Sequence, residues 1–551
     1  MSAQKYLINL LSEVLAQMGL EWPEKASVEP PREKKFGDLA CNAAMILAKT
    51  ARCNPRDLAN QIKEHILKRE SYLESVQTAG PGFLNFTFKK NFWQSIIQQI
   101  NNEKNAFGRS GHGQGKKIQI EFVSANPTGP LHIGHGRGAA VGDSLARIMR
   151  FAGYEVSTEY YLNDAGRQMM VLGRSAWVRY QNICGIDAEL DEGHYQGEYL
   201  LEVAQAIFTE MGRGLLEMEE SEALSICRKT AVHMILEGIK KDLSDFHVEH
   251  QVWFSENSLI EDNIVSDTLD MLLEKGMAYE HEGALWFRST ALEDDKDRVL
   301  RKSDGTLTYF ASDIAYHKNK YDRGYDLLVD IWGADHHGYV PRMKSAVAAL
   351  GKSPDSLEVI LVQLVNLLRE GKQIAMSTRA GEFVALRDVL REVGRDACRF
   401  MFLSRKSDSH LDFDLEMVKK RTMDNPVYYV QYAHARICSL FDKAAEKGIR
   451  ADSSFLSSLD LLDTQQDLDI LKKMAEFPDI IAASARNLSP HHLSFYLMEL
   501  AGSLHRYYTV NPVLTAESHD LIRSRMVLFM AVATVLKNGL NLLGVSAPER
   551  M

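Results

Sequence analysis

The sequence predicts an α/β protein: a parallel-sheet core between an N-terminal α+β unit and a C-terminal all-α helical bundle. Three observations carry this. A strand, a glycine-rich turn, a helix and a second strand follow one another from Lys117 to Leu162, the order of a βαβ unit. Ahead of it, GRSGHGQGKK (108–117) has four glycines in its first eight residues and reads as a flexible boundary. From about residue 410 onward, turn signals thin out and helical periodicity dominates.

The elements follow in order. Helical patterns lie near 4–18, 38–51 and 55–70, then the strand-like FLNFTF at 83–88. KIQIEFV opens the core as an apolar-rich strand. The next helix puts Ala140, Val141, Leu145, Ile148 and Met149 on one face and ends at Gly153. YEVSTEYYL is the second strand. Residues 186–298 read as an acidic, mostly helical insertion. Sheet signals return with ALWFR (284–288) and RVLRKSDGTLTYF (298–310), where Ser303-Asp304-Gly305 makes a hairpin turn. A helix is expected from Ser312, a buried strand at DLLVDIW (326–332), then the loop GADHHG and a helix from Val340. Four long apolar-periodic stretches after residue 426 predict a bundle of four or five helices. The expected domains are 1–112, 113–415 and 416–551.

Composition restricts the function classes. Of 551 residues 45% are hydrophobic and 25% charged, an ordinary globular mix, and no apolar run reaches the length of a membrane span. The first twenty residues space Tyr6, Leu7, Leu10, Leu11, Val14 and Leu15 as an amphipathic helix, not a cleavable leader, so a cytoplasmic protein is expected. The six cysteines form no Cys-x-x-Cys pair and are expected as reduced, mostly buried thiols. The net charge of −10 argues at first against a polyanionic partner. Its distribution removes that objection. Residues 1–115 hold 15 Lys and Arg against 11 Asp and Glu, and 420–551 hold 14 of each, so the acidic surplus is confined to the middle.

The most informative stretch is NPTGPLHIGHGRG (126–138), at the carboxyl end of a buried strand, where open α/β sheets bind ligands. Pro130 suits a first helical turn. Gly134, Gly136 and Gly138 strip that turn of side chains, so a flat ring or a phosphate can approach the backbone. The helix start offers unpaired N–H groups and a positive dipole end to an anion. His132 and His135, three apart, project to neighbouring positions and suit donation to phosphate oxygens. A His-x-x-His pair can also ligate zinc, but no third ligand stands at a familiar spacing. Glycines at a helix start can also serve packing alone.

Leu131 to His135 contains His-Ile-Gly-His, which resembles the HIGH signature of class I aminoacyl-tRNA synthetases. The string EFVSANPTGP (121–130) running into it is similar to the arginyl-tRNA synthetases in particular. So are YYLNDAGRQ (160–168), SDGTLTYFASDIAYH (303–317), WGADHHGY (332–339) and NPVYYVQYAHARI (425–437), with GDLACNAAMILAK (37–49) and AGPGFLNF (79–86) near the start. The resemblance covers nearly the whole chain. It implies a Rossmann-like catalytic domain, an N-terminal domain that reaches the tRNA elbow and a helical anticodon-binding domain. It further implies formation of arginyl-adenylate from ATP and L-arginine, generally with tRNA(Arg) bound, then transfer to the tRNA's terminal adenosine. ATP with Mg2+, no zinc, no membrane partner and a monomer are expected.

By the same resemblance, His132, Gly134, His135 and Gly136 bind and activate ATP, with His337, Met376 and Ser377 at its borders. Asp313 and Tyr309, four apart, share one wall of the pocket for the guanidinium. Ser124 and Asn126 hold the amino acid's ammonium and carboxylate, and Glu121 adds negative charge, unless it serves a structural ion pair on its buried strand. Tyr428, Tyr432 and Arg436 combine stacking faces with charge as anticodon bases require, although tyrosines at helical spacing are also core residues. The chain departs from the class in its second signature, Lys-Met-Ser-Lys, where Ala375 and Thr378 replace both lysines. Lys372 or Arg379, within one short loop of Met376-Ser377, is expected to supply the missing cation. Two rival readings are another class I synthetase or nucleotidyltransferase, and an inactive RNA-binding relative.

Overall fold

The computed structural model describes residues 2–69, 71–292, 294, 296–374, 384–449 and 453–551, with the backbone alone at 34, 453–455 and 457. Its centre is a sheet of five parallel strands: β1 (Lys117–Glu121), β2 (Glu155–Leu162), β3 (Val252–Ser255), β4 (Leu327–Gly333) and β5 (Leu357–Val362). They lie in the order β5-β4-β1-β2-β3. Strand order reverses between β1 and β4, which opens a crevice beyond their carboxyl ends.

Helix α1 (Ile133–Phe151) joins β1 to β2 and is buried around most of its surface. The sequence permits this because its glycines let neighbours close in. A Cβ at Gly142 would stand 2.2 Å from Phe122 Cγ, and one at Gly136 2.7 Å from Leu386 Cδ1. Helix α1 begins at Ile133 with His132 as its N-cap, so Pro130 lies ahead of the helix and not in its first turn.

The stretch 186–298, expected as a mostly helical insertion, also contributes to the central sheet. Its β3 pairs in parallel with β2 from Glu159↔Val252 and leads directly into the short helix α2 (Glu256–Glu261). Only four residues long, β3 carries no signal that distinguishes it from its helical surroundings. Helix α3 (Tyr309–Asp322) starts three residues earlier than Ser312, on Thr308 as N-cap, and runs into β4. A smaller sheet follows: β6 (Val365–Arg369), β7 (Lys372–Gln373) and β8 (Leu411–Asp414), in the order β7-β6-β8, with helix α4 (Leu386–Val393) between β7 and β8.

In the N-terminal unit, helices Ala3–Gln17 and Pro55–Leu67 accompany a four-stranded antiparallel sheet. The apolar run 38–51 is helical only over Ala43–Leu47. Leu39–Cys41 is a strand, drawn into the sheet by Phe83–Phe88. The strand Leu73–Ala79 escapes the sequence pattern because only Leu73 and Val76 in it are buried. The glycine-rich boundary is closely packed: Gly113 and Gly115 donate to Ala152 O (2.9 Å) and Gly153 O (3.0 Å), and Gly108 lies against Phe477. From Pro426 the described residues form five α-helices, because Glu476 and Pro478 break the stretch DLDILKKMAEFPDIIAASARN into Gln465–Ala475 and Phe477–Arg486. All six cysteines are free thiols, four of them buried. Among the described residues no helix is long and apolar enough to cross a membrane.

Candidate active site

The turn between β1 and α1 is strained. Val123 (φ 71°) and Ser124 (φ 40°) adopt consecutive left-handed conformations, which a β-branched residue avoids elsewhere. The strain bends the chain back across the strand ends. Beyond it, His132 caps α1: its Nδ1 accepts from the Gly134 N–H (3.1 Å), while His135 Nδ1 accepts from the His132 N–H (3.3 Å). The rings stack at 3.6 Å between centroids. A Cβ at Gly134 would stand 2.9 Å from His132 Cε1, so this glycine makes room for the ring. With both Nδ1 atoms accepting, the neutral rings carry their protons on Nε2, the form that donates to an incoming oxygen.

Burial drives both histidines below their ordinary pKa, and His135, further opposed by charge on His132, falls to about 3. The unfolded chain therefore takes up protons here below about pH 6.5 that the folded chain refuses. The stability due to neutral rings is complete above that pH and declines as pH falls toward 3. Urea unfolding from about pH 7.5 to about pH 5 is expected to show this decline, with a flatter slope in His135→Asn. Equal slopes would mean the folded pair is already charged.

The crevice between β1 and β4 holds a second set of charges. Glu121 and Asp330 are register partners across the two strands, and Lys320 from α3, 0% exposed, sits between them. Its Nζ lies 2.6 Å from Glu121 Oε2 and 2.8 Å from Asp330 Oδ1. Ser124 Oγ donates to the other Glu121 oxygen (2.9 Å), and His317 Nε2 lies 2.9 Å from Asp330 Oδ2. Glu121 and Asp330 are thus committed to internal partners. No cation among the described residues is hydrogen-bonded to the Asp313 carboxylate. That carboxylate accepts from the Tyr339 hydroxyl, and burial raises its pKa despite that bond. Glu256, the first residue of α2, is buried nearby, and burial with the Asp313 charge pushes it up to about 7. Asp313 faces a cavity of about 250 Å³ bordered also by Glu121, Ser124, Tyr161, Trp332, His336 and Tyr339, with Glu256 close enough for the two charges to oppose each other. Such a socket lacks one cation, and a forked guanidinium meets that need.

A larger cavity of about 540 Å³ lies over the histidines, lined by Asn126, Thr128, His132, His135 and Gln168. The segment 192–199 roofs it, with Tyr199 donating to Thr128 O. Asn126 Nδ2 donates to Gln168 Oε1 at 2.8 Å. Ser124 and Asn126, two residues apart, consequently open onto different cavities.

The structure joins Glu121, Ser124 and Asp313, and it joins Asn126, His132 and His135. Other expectations are displaced. Tyr309 is 66% exposed and does not border the acidic cavity, although it stands one turn from Asp313. Gly136 is buried under Leu386 and Phe402, so packing requires its missing side chain and it offers no bare surface to a nucleotide. His336 borders the acidic cavity, whereas His337 is exposed with Nδ1 3.2 Å from Ala334 O. Lys372 is exposed on β7. Met376, Ser377 and Arg379 lie outside the described residues. Tyr428 and Tyr432 are half-buried and stack on each other at 5.7 Å, and Arg436 lies 3.9 Å over the Tyr508 ring. Sequence reasoning missed Tyr161, Glu256, Lys320, Asp330 and Tyr339. Glu256 alone had a usable signal, a carboxylate directly after a strand.

Family models match in three consecutive segments: an arginyl tRNA synthetase N-terminal domain over 5–88, the catalytic domain of class I (R) tRNA synthetases over 96–438, and a DALR anticodon binding domain over 430–551. This fold and these domains are those of a class I aminoacyl-tRNA synthetase. Within that class the chain belongs to the arginyl-tRNA synthetase family. It is 57% identical, over all of both chains, to an arginine--tRNA ligase of Nitratidesulfovibrio vulgaris, and 58% identical over the same span to that of Oleidesulfovibrio alaskensis. The Thermus thermophilus arginyl-tRNA synthetase shares the fold, with a TM-score of 0.77 at 22% identity and full coverage of both chains.

Proposed function

We propose that this chain is an arginine--tRNA ligase, and that the acidic cavity bordered by Asp313 is its arginine site. The observation that carries this is the charge balance of the crevice: Lys320 satisfies Glu121 and Asp330, and a guanidinium remains to satisfy Asp313. The arginine backbone would lie between Ser124 and Asn126. Its carboxylate oxygen attacks the α-phosphorus of ATP, and pyrophosphate leaves. His132 and His135 donate from Nε2 to the phosphate oxygens as charge builds there, with the helix dipole behind them. A ribose hydroxyl of the terminal adenosine of tRNA(Arg) then attacks the acyl carbon, losing its proton as AMP departs. The protein orients and stabilises, and no enzyme-bound covalent intermediate is needed.

Among the described residues no group of three or more His, Cys, Asp and Glu is placed to hold a metal ion. Mg2+ would be carried by the ATP phosphates and partly neutralise them. Tyr428, Tyr432 and Arg436 would meet the anticodon and the basic surplus of residues 1–115 the tRNA elbow. The enzyme would act as a cytoplasmic monomer, where ATP and tRNA are found. Transfer of labelled arginine to total tRNA, against a panel of other amino acids, tests the whole reading. Transfer of another amino acid in preference to arginine, or of none, ends it.

Lys372 and Arg379 would replace the absent signature lysines. Arginine-dependent ATP–pyrophosphate exchange with tRNA present should fall by about 10²-fold when the true cation is removed, the cost of one lost oxyanion partner. If Lys372→Ala and Arg379→Ala both exchange at the wild-type rate, neither holds the pyrophosphate.

A further inference from the structure

Arg137 follows His135 by two residues and is 0% exposed. Buried guanidinium groups ordinarily meet a carboxylate. No carboxylate among the described residues is hydrogen-bonded to this one. Its Nη1 donates to Gln363 O (2.9 Å) and Ser409 O (2.8 Å), and its Nη2 to Lys406 O (2.9 Å). Its Nε is buried without a partner. Asp408 acts on it through space, with its own Oδ2 held by Lys406 at 2.5 Å. Burial pushes Arg137 down to about 10. A well-packed apolar side chain would cost less here.

The acceptors are not scattered. Gln363 stands two residues before β6, and Lys406 and Ser409 lie on the segment that enters β8. Strands β6 and β8 pair in parallel from Val365↔Leu411, and the Gln363 N–H donates to Ser407 O (2.8 Å). Strand β7, on the other edge of β6, carries Lys372. A further attachment comes from the same helix start, where His132 bridges Ala385 and the Leu386 N–H donates to Leu131 O (2.8 Å).

We infer that Arg137 is a positioning residue: its guanidinium fixes the β7-β6-β8 sheet, and Lys372 with it, against the turn that carries His132 and His135. This rests on the assignment of Lys372 to the pyrophosphate. A planar fork holds the carbonyls of the two segments in fixed directions from separate nitrogens, whereas an ammonium gathers its acceptors about a single atom. The placement matters because a displacement of about 1 Å between groups acting on one phosphate chain can cost about 10²-fold in rate.

The test uses the full-length enzyme with Arg137→Lys, Lys372→Ala and the double variant. Arg137→Lys should melt within a few degrees of wild type, or Arg137→Gln takes its place. Amide hydrogen exchange over 365–373 should rise about tenfold while β1 and β2 keep their protection. Exchange of pyrophosphate into ATP should fall by about 10- to 100-fold with arginine affinity unchanged. The double variant should be no slower than Lys372→Ala, because each removes the same interaction. Unchanged hydrogen exchange over 365–373 overturns the inference. So do multiplicative losses in the double variant, which would make the two residues independent. A fully active Lys372→Ala removes the underlying assignment, and is told apart because it involves no change at Arg137.

Discussion

Replacing Asp313 by asparagine is expected to abolish useful arginine affinity while leaving the fold intact. The carboxylate sits at the bottom of a cavity where the neighbouring Glu121 and Asp330 are already bound to Lys320. Asparagine keeps the shape and can still accept from Tyr339, so that hydroxyl keeps its partner. What is lost is the charge opposite a desolvated guanidinium. Stranding one partner of a buried ion pair costs about 3–5 kcal/mol, roughly 150- to 5,000-fold in kcat/KM for arginine. Glu256 moderates the loss if it ionises on binding, because burial and Asp313 hold its proton on near neutral pH. The Asp313→Asn/Glu256→Gln variant should then lose more than Asp313→Asn alone. Steady-state charging over a range of arginine concentrations, with thermal melting as control, measures both. A KM within about fivefold of wild type in Asp313→Asn would place the guanidinium elsewhere.

Substitution of His135 should slow adenylate formation without weakening substrate binding. Its Nδ1 is occupied by the His132 N–H, so alanine would both remove a donor to phosphate and uncap the turn. Asparagine separates the two effects, since an amide oxygen can still accept that N–H. His135→Asn is expected to melt like wild type at neutral pH and to lose about 10²- to 10³-fold in kcat for ATP–pyrophosphate exchange, the usual worth of a preorganised oxyanion donor. The stacking of His132 on His135 at 3.6 Å means that the rings act together. The double replacement should therefore cost little more than the larger single one. A variant that loses ATP affinity but keeps kcat would show that these rings only bind the nucleotide.

Much of this site is legible along the chain. The strand, glycine-rich turn and helix of 117–151 occur in order, and their polarity alone places the histidines at the carboxyl edge of a parallel sheet. Asp313 is readable from its family-like setting, and its placement in the cavity follows from one turn of helix. Other details are not legible. Gly136 looks like a floor for a nucleotide and is in fact required by Leu386, which is 250 residues later. The glycines of 108–115 look like a flexible boundary and instead allow packing against Tyr154 and Phe477. Tyr309 shares a helix face with Asp313, yet its ring stands in solvent. In each case a residue type fits two environments, and only the neighbours decide between them.

The amino-acid sequence by itself determined the βαβ core, the helical C-terminal bundle, the histidine turn and the family, because periodicity, turn chemistry and contiguous motifs are local properties of the chain. Only the tertiary structure decided which charges are spent and which remain. Lys320 lies far in sequence from Glu121 but touches it, so Glu121 is internally neutralised and Asp313 is left as the one that wants a cation. The physical reason is that a carboxylate's role depends on the sum of charges and burial around it, and that sum runs over residues brought together by folding.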